Sequence, residues 1–150
     1  MKVRDVIIRD ISAVFEDETV ENFVIMCAKQ LRSGLPVVDE DMVVIGFISE
    51  SDIINATVPS YFSLLQSTSF LPDTHQLVSR FARIKDRKVS EFMSTPPITV
   101  REDDSLMHAA DLLIRRRMKS IPVVDSYGRL VGFVTRMQIL RGAMEKRWEV

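Results

Sequence analysis

One cysteine, Cys27, and two histidines, His75 and His108, are all the thiol and imidazole in this chain. A single thiol excludes an internal disulfide and a cysteine metal cluster. The histidines lie in unrelated segments with neither metal-ligand spacing nor a nucleophile beside them, so they support neither catalysis nor a metal site. No apolar run approaches membrane-spanning length. Lys2, Arg4, Asp5, Arg9 and Asp10 leave no apolar signal-peptide core at the N-terminus. An excess of one charge is missing too: 20 Lys and Arg stand against 21 Asp and Glu, a net of −1. That balance gives no support for bulk binding to nucleic acid or to an anionic membrane. The expectation is a cytoplasmic globular protein, whose 150 residues at 46 % hydrophobic suffice for one ordinary core or two small fused ones.

What the chain does have is a repeat. Residues 2–56 and 88–142 align without a gap, Lys2 falling on Lys88. Identical pairs include Val3/Val89, Val14/Val100, Pro36/Pro122, Val37/Val123, Val38/Val124, Asp39/Asp125, Gly46/Gly132, Phe47/Phe133 and Ile53/Ile139. An internal repeat fixes the architecture before any motif is read. Two copies of one unit predict a pseudo-two-fold pair with clefts where the copies meet, and ligands favour such clefts.

Each copy reads as strand-helix-strand-strand-helix. A first strand is expected over Ile11–Phe15 or Ile98–Val100, followed by an acidic, helix-capping corner at Glu16–Thr19 or Glu102–Ser105. Val20, Phe23, Val24, Cys27 and Leu31 recur at helical spacing, as do Leu106, Ala109, Ala110 and Leu113. Leu35-Pro-Val-Val-Asp39 and Ile121-Pro-Val-Val-Asp125 predict short buried strands. Their prolines belong at a strand's first residue or on an edge, because proline cannot donate to a ladder. Ser126-Tyr127-Gly128 predicts a hairpin turn. A third strand follows at Val43–Ile48 or Leu130–Val134, and a last helix begins after Ser49 or Thr135. The unit is too small to stand alone, which is a second reason for the copies to fuse.

Residues 57–87 belong to neither copy, and residues 143–150 form a C-terminal tail. Tyr61, Phe62, Leu64 and Leu65, then Leu77, Val78, Phe81 and Ile84, predict two short amphipathic helices broken at Pro72-Asp73. This insertion either covers the sheet or offers a contact surface to a second subunit.

The ordered set Leu35–Asp39, then Gly46-Phe-Ile-Ser-Glu-Ser-Asp52, resembles the cystathionine β-synthase (CBS) domain. The second copy repeats it as Ile121–Asp125 and Gly132-Phe-Val-Thr-Arg-Met-Gln138, with the lead-in Lys88–Met93. The resemblance covers the chain apart from 57–87. It implies a mixed α/β fold in which two β-α-β-β-α repeats fuse through their sheets, a tandem CBS pair or Bateman module. It further implies a regulatory, non-catalytic role. One or both clefts would bind AMP, ADP, ATP, S-adenosylmethionine or a related adenosine compound and signal occupancy to a regulated protein. The repeats and insertion use up the chain, so an effector would act from outside it. No cofactor is implied.

By the same resemblance Ser49 and Asp52 contact the ribose. A carboxylate suits adjacent hydroxyls because it can accept from both, as in dinucleotide folds. Ser49-x-x-Asp52 is also a capping box at a helix start, however, and Thr135-x-x-Gln138 satisfies the capping rule without a carboxylate. Gln138 departs from the family's Asp, so the Thr135/Gln138 cleft is expected to be weak, altered or empty. The ribose residues of one repeat would face the other's lead-in, so Ser94, Pro97, Ile98 and Met118 are expected to wall the Asp52 cleft. Lys119 and Arg136 are candidates for a phosphate contact, and Ser33 stands opposite Lys119 in the first copy. Arg115–Arg117 closes a helix, where cations offset its negative end. No aromatics interleave with it, so no nucleic-acid partner is expected.

Three readings result: a ligand-sensing module, a structural or dimerisation module that has lost nucleotide binding, and an enzyme, which lacks any nucleophile-base pair. A homodimer is expected. Ile53, Ile54, Ile139 and Leu140 would divide between core and interface, with Tyr61, Phe62, Leu65, Phe70 and Leu71 helping.

Overall fold

The computed structural model describes residues 1–58 and 73–146. The first repeat contributes β1 (Val14–Phe15), α1 (Val20–Gln30), β2 (Gly34–Val38), β3 (Val44–Ser49) and α2 (Glu50–Thr57). The insertion contributes α3 (Asp73–Ile84). The second repeat gives β4 (Val100–Arg101), α4 (Leu106–Arg115), β5 (Ser120–Val124), β6 (Leu130–Thr135) and α5 (Arg136–Glu145). Two three-stranded sheets form, ordered β1-β2-β3 and β4-β5-β6, each with a parallel and an antiparallel pair. The mixed α+β unit read from the repeat is the fold, and its mates obey the pseudo-two-fold closely. Val37/Val38 and Val123/Val124 even carry the same register irregularity.

The sheets join at their hairpins. Val43 bridges Arg129, Val44 N–H donates to Gly128 O, and Leu130 N–H donates to Met42 O. At this junction Val38, Val44, Val124 and Leu130 form a small core shared by the two repeats, Val38 with its mate Val124 and Val44 with its mate Leu130. Gly128 takes a φ of 81°, as the predicted turn requires, and its mate Met42 takes 64°. Asp125 and Asp39 hold these turns by accepting backbone N–H bonds from two residues each: Tyr127 and Arg129, and Asp41 and Val43.

The lead-ins cross over. Val3 and Val6 are buried with Val100, Leu106, Leu113 and Ile121 of the second repeat, while Val89 is buried with Val14, Phe23, Leu35 and Ile48 of the first. Val3 N–H donates to Asp104 O and Val89 N–H to Glu18 O, one contact written twice. Each core is therefore completed by the other repeat, which is the physical reason a single copy is insufficient.

Several expectations shift in detail. The first strands start later than Ile11 and Ile98. Asp10 accepts bonds from the Ser12 backbone and hydroxyl, which turns the chain and leaves Ile11 exposed, while Pro96 and Pro97 cannot donate to a ladder. The third strands run to Ser49 and Thr135, and the first begins one residue late because Val43 is taken by Arg129. Leu31 is not on the core face: α1 ends at Gln30, and Leu31 caps it at a φ of 54°, 94 % exposed. Val24 is exposed as well. Residues 143–145 are helical rather than tail.

Pro36 and Pro122 sit at neither a first residue nor an edge strand, but third in central strands. Their partners Phe47 and Phe133 turn their N–H groups away, to Ser94 O and Ile8 O. The prolines' missing N–H thus faces β1 or β4, whose pairing starts only one residue later, at Val37 or Val123. The position is locally an edge.

The predicted break at Pro72 and the apolar residues Tyr61, Phe62, Leu64, Leu65, Phe70 and Leu71 lie outside the described residues. In the second half of the insertion, Ile84 is buried and Phe81 packs beside it in the first repeat's core. Arg80 Nε donates to Thr57 O, satisfying a terminal carbonyl of α2. Leu77 and Val78 are exposed.

Candidate functional site

The turn from β3 into α2 sets the site. β3 ends with Ser49 in extended backbone, and its hydroxyl accepts the N–H of Asp52 at 3.3 Å. Asp52 Oδ2 answers by accepting the Ser49 N–H at 2.8 Å and the Ser49 hydroxyl at 3.1 Å. The capping box is complete, and Asp52 is fixed with one carboxylate oxygen, Oδ2, engaged. Its other oxygen accepts no hydrogen bond among the described residues. Capping and a second, unengaged acceptor are thus compatible at one residue. In the second repeat Thr135 Oγ1 accepts the Gln138 N–H at 3.1 Å, and this bond is one-sided.

The crossed lead-in supplies the facing wall. Phe47 N–H donates to Ser94 O at 3.1 Å and Ser94 N–H to Phe47 O at 2.8 Å. From there the chain passes a cis Thr95–Pro96 bond to Pro97 and Ile98. Close approach explains Gly46: a Cβ there would stand 2.6 Å from Met93 Sδ and 3.1 Å from Ser94 O. Gly132 meets the Ile8 carbonyl oxygen in the same way. A cleft of about 310 Å³ results, at the small end of ordinary ligand sites. It brings together Ser49, Asp52, Ser94, Pro97, Ile98, Met118 and Lys119, residues drawn from both repeats.

Arg136 is not among the lining residues: its Nε donates to Met118 O at 2.9 Å, a bond to the backbone of a wall residue. The sequence reading missed Glu50, Arg116 and Arg117, which also line the cleft. Arg115 alone closes α4, pairing with Asp111 at 3.0 Å, while Arg116 and Arg117 lie in the turn beyond. Their adjacency to Met118-Lys119 was the available signal. Chemically the cleft offers a carboxylate oxygen on one side, apolar Pro97, Ile98 and Met118, and three cations nearby. Such a set suits a flat molecule carrying neighbouring hydroxyls and a negative charge.

The two-fold mate of this cleft is lined differently. Phe133 matches Phe47, but Gln138 stands in the position of Asp52, Arg136 in that of Glu50 and Arg32 in that of Met118. The Arg32 guanidinium carbon lies 4.1 Å from the Phe133 ring centroid. Arg32 Nη1 is buried without a hydrogen-bond partner among the described residues. Burial pulls its pKa below the ordinary arginine value, against the opposing attraction of Asp10. Burial likewise raises the Cys27 thiol's pKa, leaving it a packing group on α1. Among the described residues no cluster of three His, Cys, Asp or Glu could hold a metal ion, and no helix is long and apolar enough to cross a membrane.

Known proteins share this fold. CBSX1 of Arabidopsis thaliana, a CBS domain-containing chloroplastic protein, is 29 % identical over 145 residues, covering 91 % of this chain and 60 % of its own. The chain thus spans about three fifths of that relative. The crystal structure of CBSX2 in complex with AMP superposes with a TM-score of 0.72 at 25 % identity, covering 96 % of both chains. The CBS domain pair of protein MJ0100 in complex with 5′-methylthioadenosine and S-adenosyl-L-methionine gives 0.69 at 25 % identity, covering 94 % of this chain and 98 % of that one. The CBS domain matches residues 3–58 and again 89–145. With its unit present twice and its cleft built between the copies, the chain belongs to the CBS-domain family as a tandem pair.

Proposed function

We propose that this CBS pair is a regulatory module that binds one adenosine-type molecule in the Asp52 cleft. The observation that carries the reading is the convergence of Ser49, Asp52, Ser94, Pro97, Ile98, Met118 and Lys119, distant in sequence, on one opening. Asp52 accepts the ribose hydroxyls through its unengaged oxygen. Ser49 fixes Asp52 in place, so the pair acts as a unit. Pro97, Ile98 and Met118 hold the base, and Lys119, with Arg116 and Arg117 beside it, meets a phosphate. Arg136 serves indirectly, through Met118. The ligand class is AMP, ADP, ATP or an S-adenosylmethionine-like compound, in keeping with what CBSX2 and MJ0100 hold. Because the cleft is made from both repeats, occupancy alters how they pack, and a partner protein senses that change.

The module works as a homodimer in the cytoplasm. Ile54 on α2, with Ile114 on α4 and Met137, Leu140 and Met144 on α5, are apolar and exposed, and joined into one patch they would mark an association surface. Ile53 is buried and Ile139 half-buried in the cores, so the four branched residues divide between core and surface. A structural role without nucleotide is the competing reading, favoured for the second cleft by Gln138 and its one-sided cap.

A thermal-shift series with AMP, ADP, ATP, S-adenosylmethionine and methylthioadenosine separates the two. A ligand at 100 times its dissociation constant stabilises by about 2.7 kcal/mol. A rise in melting temperature with at least one compound is expected. No rise with any of them at millimolar concentration favours the structural role.

A further inference from the structure

We propose that Arg32 is the protein's own occupant of the second cleft, lying on Phe133 and closing that cleft to nucleosides. Phe133 is the two-fold mate of Phe47, which lines the open cleft, and the backbone of each is bridged by a crossing lead-in: Phe47 by Ser94, Phe133 by Ile8. The mate of Arg32 is Met118. Both follow a left-handed residue, Leu31 at φ 54° and Arg117 at φ 53°, so the backbone aims both side chains the same way. Met118 is short, uncharged and packed partly into the second core. Arg32 is longer, and its flat cation reaches the Phe133 face at 4.1 Å, filling the space that Met118 leaves open beside Phe47 in the first cleft.

The buried Nη1 fits this reading. A guanidinium pointing into solvent would hydrate all its N–H groups, yet this one gives up that hydration for the ring. Asp10, the mate of Pro96, supplies an opposing charge nearby, though its Oδ1 is committed to Ser12. Arg32 and Gln138 are therefore separate obstacles. Gln138 removes the carboxylate a ribose would use, while Arg32 fills the space. Restoring the carboxylate alone leaves the second cleft shut.

Two measurements test this, and only the second rests on the adenosine reading of the first cleft. In ¹⁵N-arginine-labelled protein, Arg32→Lys identifies the Arg32 Nε–H signal. That signal should be shifted upfield by the Phe133 ring and should return towards the other arginines in Phe133→Leu. An unshifted signal overturns the proposal. Calorimetric titration with AMP should then give one ligand per chain for the parent and for Gln138→Asp. The double variant Arg32→Met, Gln138→Asp, which copies residues the first cleft already carries, should take two. Two ligands on the parent or on Gln138→Asp, or one on the double variant, also overturns it. Absence of AMP binding to every variant contradicts the adenosine reading instead, and leaves the arginine signal to decide the position of Arg32.

Discussion

Glu50 and Lys119 pair across the mouth of the cleft, Lys119 Nζ standing 3.2 Å from Glu50 Oε1, and they come from different repeats. Both side chains are more than half exposed, so the pair adds little to stability. Its interest is competition. A phosphate approaching Lys119 meets a carboxylate already there.

Glu50→Gln should therefore strengthen AMP binding by roughly 2–5-fold, the range of exposed ion pairs, and leave adenosine unchanged. Lys119→Ala should weaken AMP by a similar factor, again sparing adenosine. Both effects should shrink in about 1 M salt, where screening shortens to about 3 Å. Calorimetry at two salt concentrations checks this. Equal factors for AMP and adenosine would remove Lys119 from the phosphate site.

The crossing lead-ins make a stability prediction. Gly132→Ala sets a methyl group against the Ile8 carbonyl oxygen, a backbone atom that cannot swing aside. Gly46→Ala presses on Met93 Sδ, the middle of a flexible side chain, and on Ser94 O. Overpacking of this kind costs about 1–3 kcal/mol. Gly132→Ala should lose the more, with melting temperatures falling several degrees by scanning calorimetry. Unchanged melting of Gly132→Ala would mean that the lead-in does not cross there.

The repeat made most of this legible beforehand. It located the strands and the caps at Ser49 and Thr135, because these depend on local residue chemistry that recurs in both copies, while the turn was read only from Ser126-Tyr127-Gly128 in the second. The walls at Ser94, Pro97 and Ile98 came from the resemblance, since nothing local in residues 88–98 announces that they serve the other repeat. Gly46 and Gly132 were visible as a pair, but their reason lies in a contact between segments far apart in sequence. Leu31 misled because helical spacing cannot tell the last core position from a left-handed cap. Arg32 was passed over for a related reason: a lone arginine after a helix looks solvated, and only its distance to Phe133 shows otherwise.

The dimer reading rests on helix surface rather than on any cleft. Ile54 is 56 % and its mate Leu140 64 % exposed. If these faces associate, light scattering at micromolar concentration should give twice the 17.2 kDa chain mass. Leu140→Asp combined with Ile54→Asp should return the monomer without unfolding it, since neither residue is in a core. A parent mass near 17.2 kDa across that range would refute the dimer.

The most direct test compares AMP binding to the parent, Asp52→Asn and Gln138→Ala by calorimetric titration. Asparagine keeps the acceptor oxygen that caps α2 but removes the charge offered to the ribose. Hydrogen bonds to charged groups contribute about 1.5–3 kcal/mol. Asp52→Asn should thus weaken AMP by about 10- to 100-fold with little change in melting temperature, and Gln138→Ala should match the parent. Equal AMP affinity in the parent and Asp52→Asn would contradict the assignment of the ribose to Asp52, and with it the reading of this cleft as the nucleoside site.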